Sequence, residues 1–328
     1  MNVEKRLKEL ESWLLGIEEL PEEVKFRAFQ NNPWFTYENI EKAFDGIKSL
    51  VKGIRIEDVL NKYDFSNGGK KVGLILAGNI PFVGFHDLVS VLLSGNVAHV
   101  KPSSQDSILL NYLLEQLTSS NNELKESIVL TTKLDLNNLD GVIATGSDNT
   151  ARYFETYFAK VPNIIRKSRT SVAVINGGES EDDLKKLGDD VFTYFGLGCR
   201  NVSKVFIPKD YDLTQLLDAW SDFDSIMDLS KYANNYTYYK SAFLVNSTEH
   251  LDTGYVLVTE SKELASPLGV LYFEKYESVV DVKSTLEENG NNIQCVVGRG
   301  EVSFGEAQNP KFLDYADGVD TLQFLTNL

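Results

Sequence analysis

From Lys71 onward the chain alternates short apolar runs with longer helical segments, and this alternation constrains the fold more than any other feature. KVGLILAG ends in glycine and reads as a buried strand; HDLVSVLLSG follows as an apolar helix with Gly95 as its stop. NVAHVKP is strand-like and SQDSILLNYLLEQL helical; SIVLTT and GVIATG read as strands, with TARYFETYF a helix after the second. Beyond Arg166 the pattern continues. TSVAVI, VSKVFIP, YVLVT, GVLYF and IQCVV are strand-like, and YDLTQLLDAW and ESVVDVKSTLEEN helical. Ser180 can cap a helix running to about Phe195, with Asp183 rather than Glu at the third helical position. Strand and helix at short intervals argue for parallel sheets wrapped by helices, which bind ligands at the carboxyl ends of their strands.

Ahead of this region, residues 1–62 read as helices: Leu7, Leu10, Leu14 and Ile17 form one apolar stripe, and Ile40, Phe44, Ile47 and Val51 another. A length of 328 residues fits two domains. The expected division is 1–167, N-terminal helices with a nucleotide-binding α/β domain; 168–310, a second α/β domain; and 311–328, a tail packed on the body. A net charge of −16 is the opposite of what neutralising phosphates requires and argues against a nucleic-acid partner. Two cysteines make neither a disulfide framework nor a structural zinc site. The N-terminus lacks a signal-peptide layout, and no apolar run reaches the roughly 18 residues that span a bilayer. The sequence reads as cytoplasmic.

No glycine fingerprint for a dinucleotide is present; Gly298 and Gly300 after IQCVV come nearest, without an apolar helix behind them. His86, His99 and His250 lack metal-ligand spacing. Four other places carry chemistry. Cys199 stands in Phe195-Gly-Leu-Gly-Cys-Arg-Asn201: the glycines free the backbone, Arg200 favours a thiolate and nearby amides can face an oxyanion. Its ordinary reading is a buried apolar thiol, which is also the reading of Cys295. Asn79 follows a strand and a glycine, where its amide can donate to an oxyanion; its ordinary reading is a turn former before Pro81. Lys101, before Pro102 and Ser103, can reach a ribose or phosphate, or simply be solvated. Gly146-Ser147 opens a helix, a ready place for an anion.

Taken in order, these places resemble the aldehyde dehydrogenase superfamily. That superfamily has an Asn-x-Pro asparagine at the oxyanion, a Lys-Pro-Ser cofactor lysine, a Thr-Gly-Ser pyrophosphate turn and a nucleophile cysteine in a glycine-bearing loop. Glu263-Leu-Ala-Ser-Pro267 resembles its Glu-x-Phe-Gly-Pro segment, whose glutamate holds the nicotinamide ribose. Within the superfamily, GNIPFVGFHDL, KPSSQD, SRTSVAV, FTYFGLGCRNVSKVFIP and DYADGVDTLQFL look most like the fatty acyl-CoA reductases, the branch that includes the reductase of bacterial bioluminescence.

The resemblance implies an aldehyde-dehydrogenase-like α/β fold: a Rossmann-type parallel-sheet cofactor domain, a second α/β catalytic domain and an N-terminal helical segment. It implies Cys199 and Asn79 as catalytic residues, and Lys101, Ser103, Gly146, Ser147 and Glu263 as cofactor ligands. NADPH or NADH is the implied cofactor, with a lean to NADPH, and an acyl-CoA the implied substrate. An acyl-activating partner enzyme and a homodimer are compatible with it. No metal is implied. One departure matters: where the usual dehydrogenase has a general-base glutamate, this chain reads Ile164-Ile-Arg-Lys-Ser-Arg-Thr170, without a carboxylate. A site lacking that base activates water slowly, which suits a reductase that works through a thioester. The alternatives are a semialdehyde or aldehyde dehydrogenase, an acyl-phosphate reductase, a degenerate binding protein, and an unrelated cysteine hydrolase.

Overall fold

The computed structural model describes residues 1–120, 122–298 and 300–328. Arg299, within the weak glycine pattern that starts at Gly298, lies outside the described residues. The chain forms two compact units, Met1–Ser168 with Pro310–Leu328, and Arg169–Asn309.

The first unit begins with α1 (Val3–Leu15), α2 (Glu22–Asn31), α3 (Tyr37–Lys52) and α4 (Ile56–Lys62). The stripes read from sequence are the buried faces: Leu7, Leu10 and Leu14 in α1, and Ile40, Phe44, Ile47 and Val51 in α3. Side-chain caps start both helices, Asn2 accepting from the Lys5 amide and Thr36 from the Asn39 amide. Then follow β1 (Lys71–Ile75), α5 (Phe85–Ser94), β2 (Val97–Lys101), α6 (Ser107–Ser119), β3 (Ile128–Leu130), β4 (Gly141–Thr145), α7 (Asp148–Tyr157) and β5 (Asn163–Arg166). The strands pair in parallel in the order β3-β2-β1-β4-β5. The chain therefore winds one way from β1 to β2 and β3, and the other way to β4 and β5. This reversal between β1 and β4 is where such sheets open a crevice at their carboxyl ends. The sequence pattern did not reveal β5, whose four residues are too few to show a period.

The second unit contains β6 (Thr170–Val174), α8 (Glu181–Phe192), β7 (Val202–Pro208), α9 (Leu213–Ala219), α10 (Ser230–Asn246), β8 (Leu251–Asp252), β9 (Leu257–Glu260), β10 (Val270–Tyr276), α11 (Val279–Glu288) and β11 (Ile293–Val297). Its strand order is β11-β6-β7-β10-β9-β8, parallel except for the short β8 against β9. The capping box at α8 forms with Asp183 doing the work of Glu. Helix α10 was invisible to periodicity because its buried residues are tyrosines rather than aliphatics. Tyr232 donates its hydroxyl to the Tyr255 carbonyl at 3.1 Å, and Tyr236 to Asp252 at 2.5 Å.

The chain then returns to the first unit, ending in α12 (Thr321–Thr326). Arg166, at the end of β5 and 4% exposed, ties this segment down. Its guanidinium donates to both oxygens of Asp87 in α5 (2.7 and 3.1 Å), to the Ala316 carbonyl at 2.7 Å and to the Thr321 hydroxyl at 2.9 Å. A bidentate carboxylate and two further acceptors make a buried guanidinium tolerable.

Candidate functional site

In the first unit, three candidate segments leave the carboxyl ends of three adjacent strands. The register sets Ile75 of β1 opposite Lys101 of β2 and Ala144 of β4, so Asn79, Lys101–Ser103 and Gly146–Ser147 all follow the same edge. The turn after β1 and the loop after β2 lie against each other. The Leu76 amide donates to the Lys101 carbonyl at 3.2 Å. A Cβ on Gly78 would stand 2.5 Å from Ser103 Oγ, so only glycine allows this approach. Gly146 is needed for a similar reason: a Cβ there would meet the Thr150 side chain at 2.9 Å and the Phe154 ring at 3.2 Å. Its amide donates to the Arg166 carbonyl at 3.2 Å. Ser147 precedes α7 without capping it, and its hydroxyl pairs with Thr150 at 3.0 Å.

The Asn79 turn closes through Phe82, a buried non-glycine residue at φ 56°. Such a left-handed residue costs about 1–3 kcal/mol unless its surroundings hold it. Here the Phe82 amide donates to Asp106 Oδ2 at 2.7 Å. Asp106 precedes α6, where an aspartate side chain ordinarily caps its own helix, yet it makes no such bond. Burial pushes its carboxyl well above the ordinary carboxylate range, and the Phe82 amide offsets only part of that. In the sequence Asp106 falls within the helical segment SQDSILLNYLLEQL, so its link to the turn could not be seen.

In the second unit, Cys199 lies half-buried in the loop between α8 and β7. Neither it nor Cys295 is disulfide-bonded. The approach to the cysteine bends sharply: Tyr194 and Phe195 take φ 53° and 59°, followed by Gly196 at 77°. Two consecutive strained non-glycine residues need a strong support, and Asn201 provides it. Its Nδ2 donates to the carbonyls of Thr193 (2.7 Å), Asp190 (3.1 Å) and Val191 (3.3 Å), which end α8, while its Oδ1 accepts from the Gly198 amide at 2.8 Å. Ser171 in β6 adds a second tie, its hydroxyl donating to the Cys199 carbonyl at 3.0 Å and accepting from the Cys295 amide at 3.2 Å.

Cys295 corrects the expectation of a plain core thiol. It is half-buried, with its sulfur 3.1 Å from the Ser171 hydroxyl. Burial raises its pKa, and Ser171 and the Arg200 guanidinium pull it partly back. Arg200 also donates to the Ala307 carbonyl at 3.3 Å. Behind the loop, burial pushes the Asp190 carboxyl up to about 6, against the amides of Gly305 and Ala307 that donate to it at 2.7 and 2.9 Å.

Glu263 is exposed in the connection that runs back from the carboxyl end of β9 to the amino end of β10. The two residues that open β7 beyond Val202 strap this connection. The Ser203 hydroxyl donates to the Leu264 carbonyl at 2.7 Å, and Lys204 Nζ to the Lys262 carbonyl at 3.1 Å. Lys204 is fully buried and ion-paired with Glu274. Among the described residues no group of three or more histidines, cysteines and carboxylates could hold a metal, and no helix is long and apolar enough to cross a membrane.

The sequence matches the family model described as Acyl-CoA reductase (LuxC) over residues 39–220, from α3 to just beyond α9. The chain belongs to the acyl-CoA reductase (LuxC) family. The matched LuxC stretch carries Asn79, Lys101, Gly146 and Cys199, and leaves Glu263 outside it. No curated protein matches. Among solved structures, the chain is similar to the aldehyde dehydrogenase KauB from Pseudomonas aeruginosa, at 11% identity and TM-score 0.68, covering 90% of this chain and 72% of that one. An aldehyde dehydrogenase from Bacillus cereus, solved as an NAD+ complex, gives 15% identity and TM-score 0.65 over 90% and 72% of the two chains. Aldehyde dehydrogenase 21 from Physcomitrella patens, solved with the reaction product succinate, gives 13% identity and TM-score 0.64 over 91% and 74%. At such identities the likeness shows the fold: this LuxC family member is aldehyde-dehydrogenase-like, with Rossmann-type parallel-sheet architecture. The family makes it an oxidoreductase.

Proposed function

We propose that this protein reduces an acyl-CoA, of fatty type by family resemblance, to the aldehyde, with Cys199 as nucleophile and NADPH or NADH as the reductant. The observation that carries the reading is the Cys199 loop within the family-matched stretch: a half-buried thiol on a strained, fully braced turn. The first unit suits a dinucleotide. Its strand order reverses between β1 and β4, and Gly146-Ser147 follows β4 at that crevice, just before α7. Gly146 and Ser147 would take the pyrophosphate, Lys101 and Ser103 the adenosine ribose, and Glu263 the nicotinamide ribose.

In this reading the Cys199 thiolate attacks the thioester carbonyl, and the Asn79 amide donates to the oxyanion that forms. The C–S bond to CoA breaks, CoA leaves as its thiolate and takes up a proton, and Cys199 retains the acyl group. When bound, the reduced nicotinamide supplies a hydride to the acyl carbon. Cys199 then departs as thiolate from the resulting thiohemiacetal, and the aldehyde is released. The Ile164–Thr170 stretch offers no carboxylate to activate water, so the acyl group on Cys199 persists long enough to be reduced.

The test is oxidation of NADPH and NADH by purified protein, with acyl-CoAs of increasing chain length and trapping of aldehyde. Acyl-CoA-dependent oxidation that yields aldehyde and vanishes in Cys199→Ala, with nucleotide binding retained, supports the reading. Wild-type turnover in that variant would overturn it, and activity only with acyl phosphates would move the assignment to that substrate class.

A further inference from the structure

The first unit buries two carboxyls that the proposed reaction leaves unused: Asp87, which is paired with Arg166, and Asp106, which faces no cation. Asp106 is 7% exposed. Its Oδ2 accepts from the Phe82 amide at 2.7 Å, 24 positions back in the chain, and its Oδ1 has no hydrogen-bond partner. It heads α6 without capping it. Phe82 is the left-handed residue that ends the Asn79-Ile80-Pro81 turn, and Pro81 before it has no amide to donate. The Phe82 amide is therefore the nearest backbone donor after Ile80 by which this stretch can be fixed.

We propose that Asp106 is the positioning residue of the Asn79 turn: by holding the Phe82 amide it locks the left-handed closure and so sets where the Asn79 side chain stands for the thioester oxyanion. The role of Asn79 in this statement rests on the acyl-transfer reading above. A buried carboxyl with one amide on one oxygen and nothing on the other is a poor seat for negative charge. What the turn takes from it is an acceptor at Oδ2, not a charge. An asparagine side chain has the same shape and carries the same acceptor, so Asp106→Asn should replace it, whereas Asp106→Ala should not.

The experiment measures Cys199 acylation by single-turnover release of CoA, in wild type, Asp106→Ala, Asp106→Asn, Asn79→Ala and the double variant Asn79→Ala/Asp106→Ala. Misplacing a catalytic group by about 1 Å costs on the order of 100-fold, so Asp106→Ala should slow acylation by roughly 10–100-fold. Asp106→Asn should stay within about threefold of wild type, because the acceptor on the Phe82 amide is kept. Once Asn79 is absent, Asp106→Ala should cost no more than about twofold further, since residues acting through one another do not add. Nucleotide affinity should not follow these changes. Full additivity of the two alanine variants, or an asparagine variant as slow as alanine, would overturn the proposal. Amide hydrogen exchange of residues 76–84 gives a readout independent of the reaction. Asp106→Ala should speed it and Asp106→Asn should leave it unchanged. If wild type acylates with no thioester, the acyl-transfer reading fails, and the exchange result alone decides the tie. Unchanged exchange in Asp106→Ala would overturn it whatever the activity.

Discussion

The turn after β1 and the loop before β7 face the same physical problem and solve it differently. Each bends through left-handed non-glycine residues, Phe82 in one and Tyr194 with Phe195 in the other. Each is braced at its left-handed residues by one short polar side chain. Asn201 braces the Cys199 loop with an amide used at both ends, donating to three carbonyls and accepting from Gly198. Asp106 braces the Asn79 turn with one oxygen and leaves the other without a partner. The difference follows from what each segment leaves unsatisfied. The cysteine loop follows the end of a helix, which exposes carbonyls and needs a donor. The asparagine turn presents the Phe82 amide, which needs an acceptor. A carboxyl can supply that, though burial disfavours its charged form.

The largest effect should come from the fully used brace. Asn201→Ala removes the donor to three carbonyls and the acceptor of the buried Gly198 amide, so a loss of about 3 kcal/mol or more is expected. Urea unfolding followed by tryptophan fluorescence measures it, since Trp220 is buried in the same unit. A loss below about 1 kcal/mol would mean that the bends support themselves.

The next effect depends on pH. Asp190, behind the cysteine loop, has its carboxyl raised to about 6 by burial. Between about pH 4, where the unfolded chain has lost this proton, and pH 6, where the folded chain still keeps it, folding takes up a proton. Stability from this group is therefore highest below the window and falls as pH rises through it, by about 3 kcal/mol in all. Asp190→Asn should flatten that slope relative to wild type in urea midpoints taken from pH 4 to 7. If the two curves stay parallel, Asp190 ionises in the fold as readily as in the unfolded chain.

The smallest effect should be at Ser171. Its hydroxyl is a second tie on a loop already held by Asn201, so Ser171→Ala should cost about 1 kcal/mol. Acylation should slow less than in Asn201→Ala. An equal slowing of the two would show that the serine, not the amide, sets the position of Cys199.

Much of this architecture is legible along the chain because it rests on local periodicity. The stripes of α1 and α3, the apolar run of β1 and the glycine stop of α5 all repeat within a few residues, where side-chain direction is fixed by the backbone. The motif positions were legible for the same reason, since Asn79, Lys101, Gly146 and Cys199 stand in short contiguous patterns. What escaped reading was the bracing. Ser171 meets Cys199 and Cys295 only because β6 lies between β7 and β11, a pairing that no spacing reveals. The apolar flanks of Cys295 concealed its polar neighbours. Asp106 and Asn201 carry ordinary local meanings, a residue of a helical segment and a loop residue, and tertiary contact gives each another.

The return of residues 310–328 to the first unit makes the second unit an insertion in its chain. During synthesis Asp87 and Arg166 emerge early, but Ala316 and Thr321, which complete the guanidinium's set of acceptors, come about 150 residues later. At about 5–20 residues per second that interval is on the order of ten seconds. Throughout it the first unit must wait, incomplete, at the ribosome. The second unit, a single segment from Arg169 to Asn309, can finish first. A chaperone that shields the surface awaiting residues 310–328 therefore has a defined period in which to act, and a ribosome pausing shortly before Pro310 would lengthen it.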